Sequence, residues 1–193
     1  MIFTKHSPRS KTSIPAVFLD RDGTVNVEKN YLHKITDWQL VAGAENAIKQ
    51  LKDVGYLVVV VSNQAGIARG MYGADDVNLL HEFVNSELAK IGTKIDAFYF
   101  CPHHPEIAIP CDCRKPSPKM IIEAAEALNI DLTKSWMVGD KKIDIEAGIA
   151  AGVLPILVRT GYGREEEKTL SSSIIVVDNL PAAAQFILGK THQ

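Results

Sequence analysis

No apolar run in this 193-residue chain approaches the ~20 residues that a membrane-spanning helix needs. An excess of either charge is also missing. Lys and Arg number 21 against 23 Asp and Glu, for a formal net charge of −2. That balance leaves no general basic footprint for nucleic acid, and no basic stripe rich in aromatics for stacking single strands. Cysteine is scarce: the chain has three, all between Cys101 and Cys113. An odd count in a reducing cytosol argues against a disulfide framework. There is no internal repeat and no low-complexity stretch long enough for a linker. What remains, with 46% hydrophobic content, is enough for one good core. We expect residues 15–190 to form a single domain, behind a flexible N-terminal extension over residues 1–14. That extension carries Lys5, Arg9 and Lys11 among Ser and Thr, with no apolar core of signal-peptide length. A short organelle-targeting leader is the alternative for it; a cytoplasmic protein is expected.

Apolar runs alternate with helix-period segments, the pattern of an α/β fold with a parallel sheet flanked by helices. Strands are expected at Pro15–Leu19, Leu57–Val61, Ile95–Phe100, Trp136–Val138, Leu154–Val158 and Ile174–Val177. Ala44, Ala47, Ile48, Leu51 and Val54 make one helical face, closed at Gly55. Val77, Leu80, Val84, Leu88 and Ile91 make a second. Ser117-Pro118 reads as an N-cap with proline at the first helical position, opening a helix to Leu128. Ile145–Ala151 and Leu180–Leu188 also look helical, and Glu165–Lys168 reads as a solvated loop or helix start. The Asp20 strand should lie near the middle of the sheet. The stretch 25–61 already contains a helix and a strand, and 101–114 is short, so neither holds a large cap domain.

The most informative junction is Asp20-Arg21-Asp22-Gly23-Thr24, directly after the first apolar run. It places two carboxylates at the carboxyl end of a buried strand, where open α/β sheets bind ligands. One acid can serve as nucleophile while the other handles protons. A surface turn is the plain alternative, since Asp and Gly are common there. Ser62-Asn63-Gln64 follows a second strand, Lys115 follows Arg114 just before a helix start, and Gly139-Asp140-Lys141 follows another strand, with Asp144 shortly beyond. An anionic nucleophile, a hydroxyl, an ammonium and carboxylates for a divalent metal are the parts of a phosphoryl-transfer site. A phosphoacceptor signalling domain would share the Asp, Ser and Lys but would not need Asp22.

In order and spelling, DxDGT (Asp20 to Thr24), Ser62, Lys115 and GDxxxD (Gly139 to Asp144) resemble the haloacid dehalogenase superfamily of phosphotransferases. The resemblance covers about residues 15–160 and implies a Rossmann-like sheet. FLDRDGT, SNQAGIARG, CPHHP and CDCRKP resemble more narrowly the D-glycero-D-manno-heptose 1,7-bisphosphate phosphatases, close kin of the histidinol-phosphate phosphatases. On this reading Asp20 attacks phosphorus to give an aspartyl-phosphate, and Asp22 serves as acid and then base. Ser62 and Lys115 take phosphoryl oxygens, and magnesium is held by Asp20, the Asp22 carbonyl and Asp140. Lys141 neutralises Asp140 or binds substrate. Asp144 either orients Lys115 or a metal water, or is an ordinary helix N-terminal acid.

The resemblance further implies substrate contacts from Glu28, Lys29, Asn30 and Tyr31, from Ser62, Asn63, Gln64 and Ala65, and from Arg114, whose planar fork suits a second phosphate. Glu28 replaces the Asp expected there and keeps the carboxylate. Arg69 either binds phosphate or caps a helix. The length and the stretch Asn26–His33 favour a heptose bisphosphate, cleaved at its 7-phosphate on the route to surface heptose of lipopolysaccharide, over histidinol phosphate. The expected partner is a small phosphorylated sugar, with no nucleic acid or membrane, and the protein is expected to be a monomer.

Three thiolates and an imidazole suit tetrahedral zinc, and a closed protein ligand set implies a structural ion. Cys101, Cys111 and Cys113 supply the sulfurs. His103 or His104 supplies the nitrogen, and the resemblance points to His103. Such an ion would pin the loop that carries Arg114 and Lys115.

Overall fold

The computed structural model describes residues 13–107 and 111–191. Its elements run β1 (Ala16–Leu19), α1 (Ala44–Asp53), β2 (Leu57–Asn63), α2 (Ala65–Ala68), α3 (Ala74–Ala89), β3 (Ala97–Cys101), α4 (Lys119–Leu128), β4 (Trp136–Gly139), α5 (Lys142–Ala151), β5 (Leu154–Val158), α6 (Gly163–Glu166), β6 (Ile175–Val177) and α7 (Leu180–Thr191). Residues 1–12 of the expected extension lie outside the described residues. Ile14 already pairs with the chain, accepting from Asp131 N at 2.9 Å and donating to Asn129 O at 3.1 Å.

All six strands are parallel, in the order β3-β2-β1-β4-β5-β6. Both faces are covered, which explains why the strands read as continuous apolar runs rather than alternating ones. Alternate residues feed two cores. Val17, Leu19, Val58 and Val60 pack with residues of α1, α3 and α7. Ala16, Phe18, Val59 and Val61 pack with residues of α4 and α5. At the start of β1, Ser135 Oγ accepts the Ala16 N–H at 2.8 Å, so the strand enters the core with its donor satisfied. No described helix is long and apolar enough to cross a membrane.

Differences from the expected elements have local causes. Val54 and Ile91 keep the apolar period but fall just past the last turns of α1 and α3, and are exposed at 46% and 38%. α4 starts one residue later than expected, with Pro118 rather than Ser117 at its N-cap, although Ser117 Oγ still accepts the Lys119 N–H at 3.3 Å. The glutamate-rich stretch is α6 followed by a short 3-10 turn, tied down by Glu167 on Arg159 at 2.7 and 2.8 Å.

α3 turns a histidine inward among its apolar residues. His81 is 4% exposed and stacks on Phe98 at 4.2 Å. Burial, helped by the nearby Arg21 charge, lowers its pKa to about 3. The folded protein therefore holds it neutral while the unfolded chain protonates it below about 6.5. Its contribution is intact above 6.5 and is lost as pH falls toward 3, at roughly 1.4 kcal/mol per unit. Denaturant unfolding of wild type and His81→Phe at pH 6.5 and 5 should show a shallower loss in the variant; equal losses would assign the effect to other groups.

Candidate active site

Strand order reverses between β1 and β4, and in open α/β sheets that crevice takes the ligand. Asp20 follows β1, with its N–H bonded to Val138 O of β4 at 2.9 Å, and Asp140 follows β4. The two acids thus come from neighbouring strand ends. Gly23 (φ +91°) lets the chain turn away beneath them, and a Cβ there would collide with Asp140 Oδ2. A Cβ on Gly161 (φ +56°) would strike the same oxygen. Both positions have to be glycine for Asp140 to sit where it does.

Lys115 reaches into this crevice from the loop after β3. Its ammonium lies 2.6 Å from Asp20 Oδ1, 2.7 Å from Asp144 Oδ1 and 2.7 Å from Val61 O, fully enclosed. Asn63 clamps its backbone from both sides, accepting Lys115 N–H at 3.0 Å and donating to Lys115 O at 3.1 Å. The Lys115–Pro116 peptide is cis. Burial alone would lower the Lys115 pKa, but Asp144 and Asp20 outweigh it and hold the ammonium charged. Asp144 fills both roles left open by the sequence. Its Oδ1 faces Lys115 while its Oδ2 accepts the Lys141 N–H at 3.0 Å and caps α5.

Asp20, Asp140 and Asp144 offer ligand oxygens within 4.8 Å of one another, all buried. Three carboxylates against one enclosed ammonium carry excess negative charge. Burial, only partly offset by Lys115, lifts Asp20 to about 7, and burial with the charges of Asp20 and Asp144 lifts Asp140 to about 8. Asp140 Oδ2 accepts the Tyr162 N–H at 2.8 Å, but its Oδ1 is buried with no protein partner. An all-oxygen, net-negative pocket with an orphaned carboxylate oxygen fits a hard divalent cation.

The cavity above these groups has a volume of about 290 Å³. Asp20, Asp22, Ser62, Lys115 and Asp144 line it, as do Glu28, Asn30, Tyr31, Asn63, Gln64, Ala65, Arg114 and Lys141. Lys29 does not line it and is exposed, and Asp140 lies buried behind. Two polar side chains expected on substrate are also hydrogen-bonded within the protein. Asn63 holds Lys115, and Gln64 donates to Ser62 Oγ at 2.7 Å and Asp22 Oδ2 at 3.2 Å while accepting Tyr72 O–H at 2.8 Å.

Tyr72, His104, Ile143 and Tyr162 also line the cavity. Tyr162 covers Lys141 with its ring, 4.4 Å from the ammonium, and its hydroxyl donates to Asn30 Oδ1 at 3.3 Å. The glycines flanking Tyr162 were the signal available in the sequence. Lys141 also meets Glu28 Oε2 at 3.5 Å. Arg69 ends α2 through its backbone, while its side chain reaches His104 Nε2 at 2.9 Å.

The loop after β3 gathers Cys101, His103, Cys111 and Cys113, with ligand atoms within 4.8 Å of one another. His103 Nδ1 lies 3.6 Å from Cys101 Sγ and 3.4 Å from Cys113 Sγ. His104 points away to Arg69. Burial pulls the Cys111 thiol upward, but the Arg114 backbone N–H and the neighbouring thiols bring it down to about 7. A soft, closed set of three sulfurs and one nitrogen fits zinc. Arg114, at the trailing end, donates to His103 O at 3.1 Å and so ties the loop to the cavity wall.

A parallel sheet in this order with strand-end acids and a buried lysine defines a haloacid dehalogenase-like phosphohydrolase, and a family model described as HAD-hyrolase-like matches residues 112–183. A D-glycero-beta-D-manno-heptose-1,7-bisphosphate 7-phosphatase from Yersinia pestis is 47% identical over 155 residues, covering 77% of this chain and 82% of its own. One from Photorhabdus laumondii is 42% identical over 182 residues, covering 90% and 97%. The crystal structure of D,D-heptose 1.7-bisphosphate phosphatase from B. bronchiseptica, complexed with magnesium and phosphate, superposes with a TM-score of 0.84 at 35% identity, over 92% of this chain and 99% of that one. The chain belongs to the D-glycero-beta-D-manno-heptose-1,7-bisphosphate 7-phosphatase family of haloacid dehalogenase-like hydrolases.

Asn63→Ala would leave both backbone groups of Lys115 without their side-chain partner. A loss of about 1–3 kcal/mol in positioning, or roughly 5- to 150-fold in kcat/KM for phosphate release, is expected, with magnesium affinity unchanged. An unchanged kcat/KM would show that Lys115 is held without it.

Proposed function

We propose that this protein hydrolyses the 7-phosphate of D-glycero-D-manno-heptose 1,7-bisphosphate, within the synthesis of activated heptose for surface glycans. The observation that carries this is Asp20: a strand-end carboxylate paired with Lys115 at 2.6 Å, beside a buried acid cluster fit for a divalent cation, at the floor of an open cavity. The family is named for this substrate in the β form, and nothing in the cavity favours histidinol phosphate.

Asp20 Oδ attacks phosphorus, and the P–O bond to the sugar breaks with its electron pair left on the sugar oxygen. Asp22 gives that oxygen a proton, then takes one from the water that cleaves the aspartyl-phosphate and regenerates Asp20. Ser62 and Lys115 hold the non-bridging oxygens. Asp20, Asp140 and the backbone of Asp22 would hold magnesium, whose chemistry here is to screen the repulsion between carboxylate and phosphate. Glu28, Asn30 and Tyr31 face the sugar, and Arg114 and Lys141 face the distal phosphate. Polar side chains with two cations suit a polyhydroxylated ligand carrying a second anion. We assign zinc to the Cys101–His103–Cys111–Cys113 cluster as a support for Arg114 and Lys115.

Purified protein should release phosphate from the heptose bisphosphate in preference to histidinol phosphate, only with magnesium, and Asp20→Asn should abolish turnover. Preference for histidinol phosphate, or brisk turnover by Asp20→Asn, would overturn the proposal. Cys113→Ala should lose zinc and either raise KM or lower kcat; a zinc-free variant with parental kinetics would show that the loop needs no ion.

A further inference from the structure

Arg21, between the two strand-end acids, is among the largest fully buried side chains of the protein, at 1% exposure. Its guanidinium grips the neighbouring carboxylate as a fork, Nε to Asp22 Oδ2 at 3.1 Å and Nη2 to Asp22 Oδ1 at 3.0 Å. Nη2 also donates to the carbonyl of Leu32 at 2.6 Å. Asn26 Nδ2 adds a donor to Asp22 Oδ1 at 3.0 Å, and Gln64 Nε2 one to Oδ2 at 3.2 Å. A carboxylate has about four lone-pair directions; the two donors of the Arg21 fork set the plane of the Asp22 carboxyl group, and Asp22 carries its proton by releasing one of the other two donors, Asn26 Nδ2 or Gln64 Nε2.

The Leu32 carbonyl ends the loop that carries Glu28, Asn30 and Tyr31. Asn30 and Tyr31 are consecutive non-glycine residues with φ of +46° and +59°, a conformation that persists only where the surroundings impose it. The network then closes on itself. Tyr31 O meets His33 Nδ1 at 2.9 Å, the His33 ring stacks on Tyr72 at 4.7 Å, and Tyr72 O–H donates to the same Gln64 that touches Asp22. For stability alone this is a poor use of the site. Arg21 Nη1 is buried with no partner, and a buried ion pair is often replaced by packed apolar side chains without loss.

We propose that Arg21 is a positioning residue: it fixes the orientation of the Asp22 carboxyl group and registers it against the sugar-facing loop 28–32. This rests on Asp22 being the proton donor to the leaving oxygen. Without the fork the Asp22 carboxyl group can rotate, and proton delivery to a poor leaving group suffers most, since general acids require tight placement.

The test compares leaving groups. The kcat/KM value reports the steps through departure of the leaving group. A sugar alkoxide needs protonation as it leaves, whereas the phenolate of p-nitrophenyl phosphate does not. For Arg21→Lys, kcat/KM should fall roughly 10²-fold on the heptose bisphosphate and less than about fivefold on p-nitrophenyl phosphate. Both substrates are assayed on one preparation, so any misfolded fraction cancels from the ratio. Asp22→Asn serves as the reference and should show the same asymmetry, larger. Equal losses on both substrates for Arg21→Lys, with the asymmetry present in Asp22→Asn, would overturn the positioning role and leave the role of Asp22 standing. No asymmetry in Asp22→Asn would overturn both.

Discussion

A lysine ammonium enclosed by two carboxylates and a carbonyl sets the terms for the rest of the site. Removing a charge from water is expensive unless its partners come with it, and Lys115 is met by Asp20, Asp144 and Val61 O within 2.7 Å. Burial, with repulsion from Asp144 and Asp22, raises the Asp20 carboxyl against the pull of Lys115, and burial with the charges of Asp20 and Asp144 raises that of Asp140. The fold keeps this arrangement by force of packing. Two glycines make room for Asp140, and Asn63 holds the Lys115 backbone from an adjacent strand end. A divalent cation is the chemical complement of what remains.

Beyond that centre, separate devices aim separate side chains. The Cys and His cluster, with the Arg114 bond to His103 O, sets the course of the loop that delivers Arg114 and Lys115. Arg21, Gln64 and Tyr72 form a polar network that fixes Asp22 and the loop before Leu32. Tyr162 stands on the opposite side, its N–H on Asp140 and its ring against Lys141. Asp20 and the rim of the cavity are thus positioned by different parts of the chain. In these terms substrate preference can change at the rim without disturbing the acid cluster.

Much of this was legible in the sequence because strands buried on both faces leave unbroken apolar runs, and the chemistry sits where those runs stop. Asp20, Ser62 and Asp140 could be placed for that reason, and the place of the Asp20 strand near the middle of the sheet followed from right-handed crossovers. The loop residues were less legible. Residue type alone does not say whether Asn63 and Gln64 point at ligand or at Lys115 and Asp22, since both uses need the same amide. Lys29 shares a loop with Glu28 and Asn30, yet the left-handed turn at Asn30 and Tyr31 leaves it off the cavity. Tyr72 lies outside any charged motif and Tyr162 is marked only by its flanking glycines, so the three-dimensional path of their loops is what brings them in. Asp144 could be read as a helix-cap acid or as a partner of Lys115, and its two oxygens do both.

The central claim is that the acid cluster is over-charged without a divalent cation and is completed by one. It is tested most directly by the thermal unfolding of wild type and Asp140→Asn, each with and without magnesium. Without metal, Asp140→Asn should be at least as stable as wild type, because a buried repulsion has been removed while the bond from Tyr162 N–H can remain. Magnesium should then raise the unfolding temperature of wild type, as any ligand bound only to the folded state does, and leave the variant unmoved. A variant that is clearly less stable without metal, and still stabilised by magnesium to the same degree, would contradict the account.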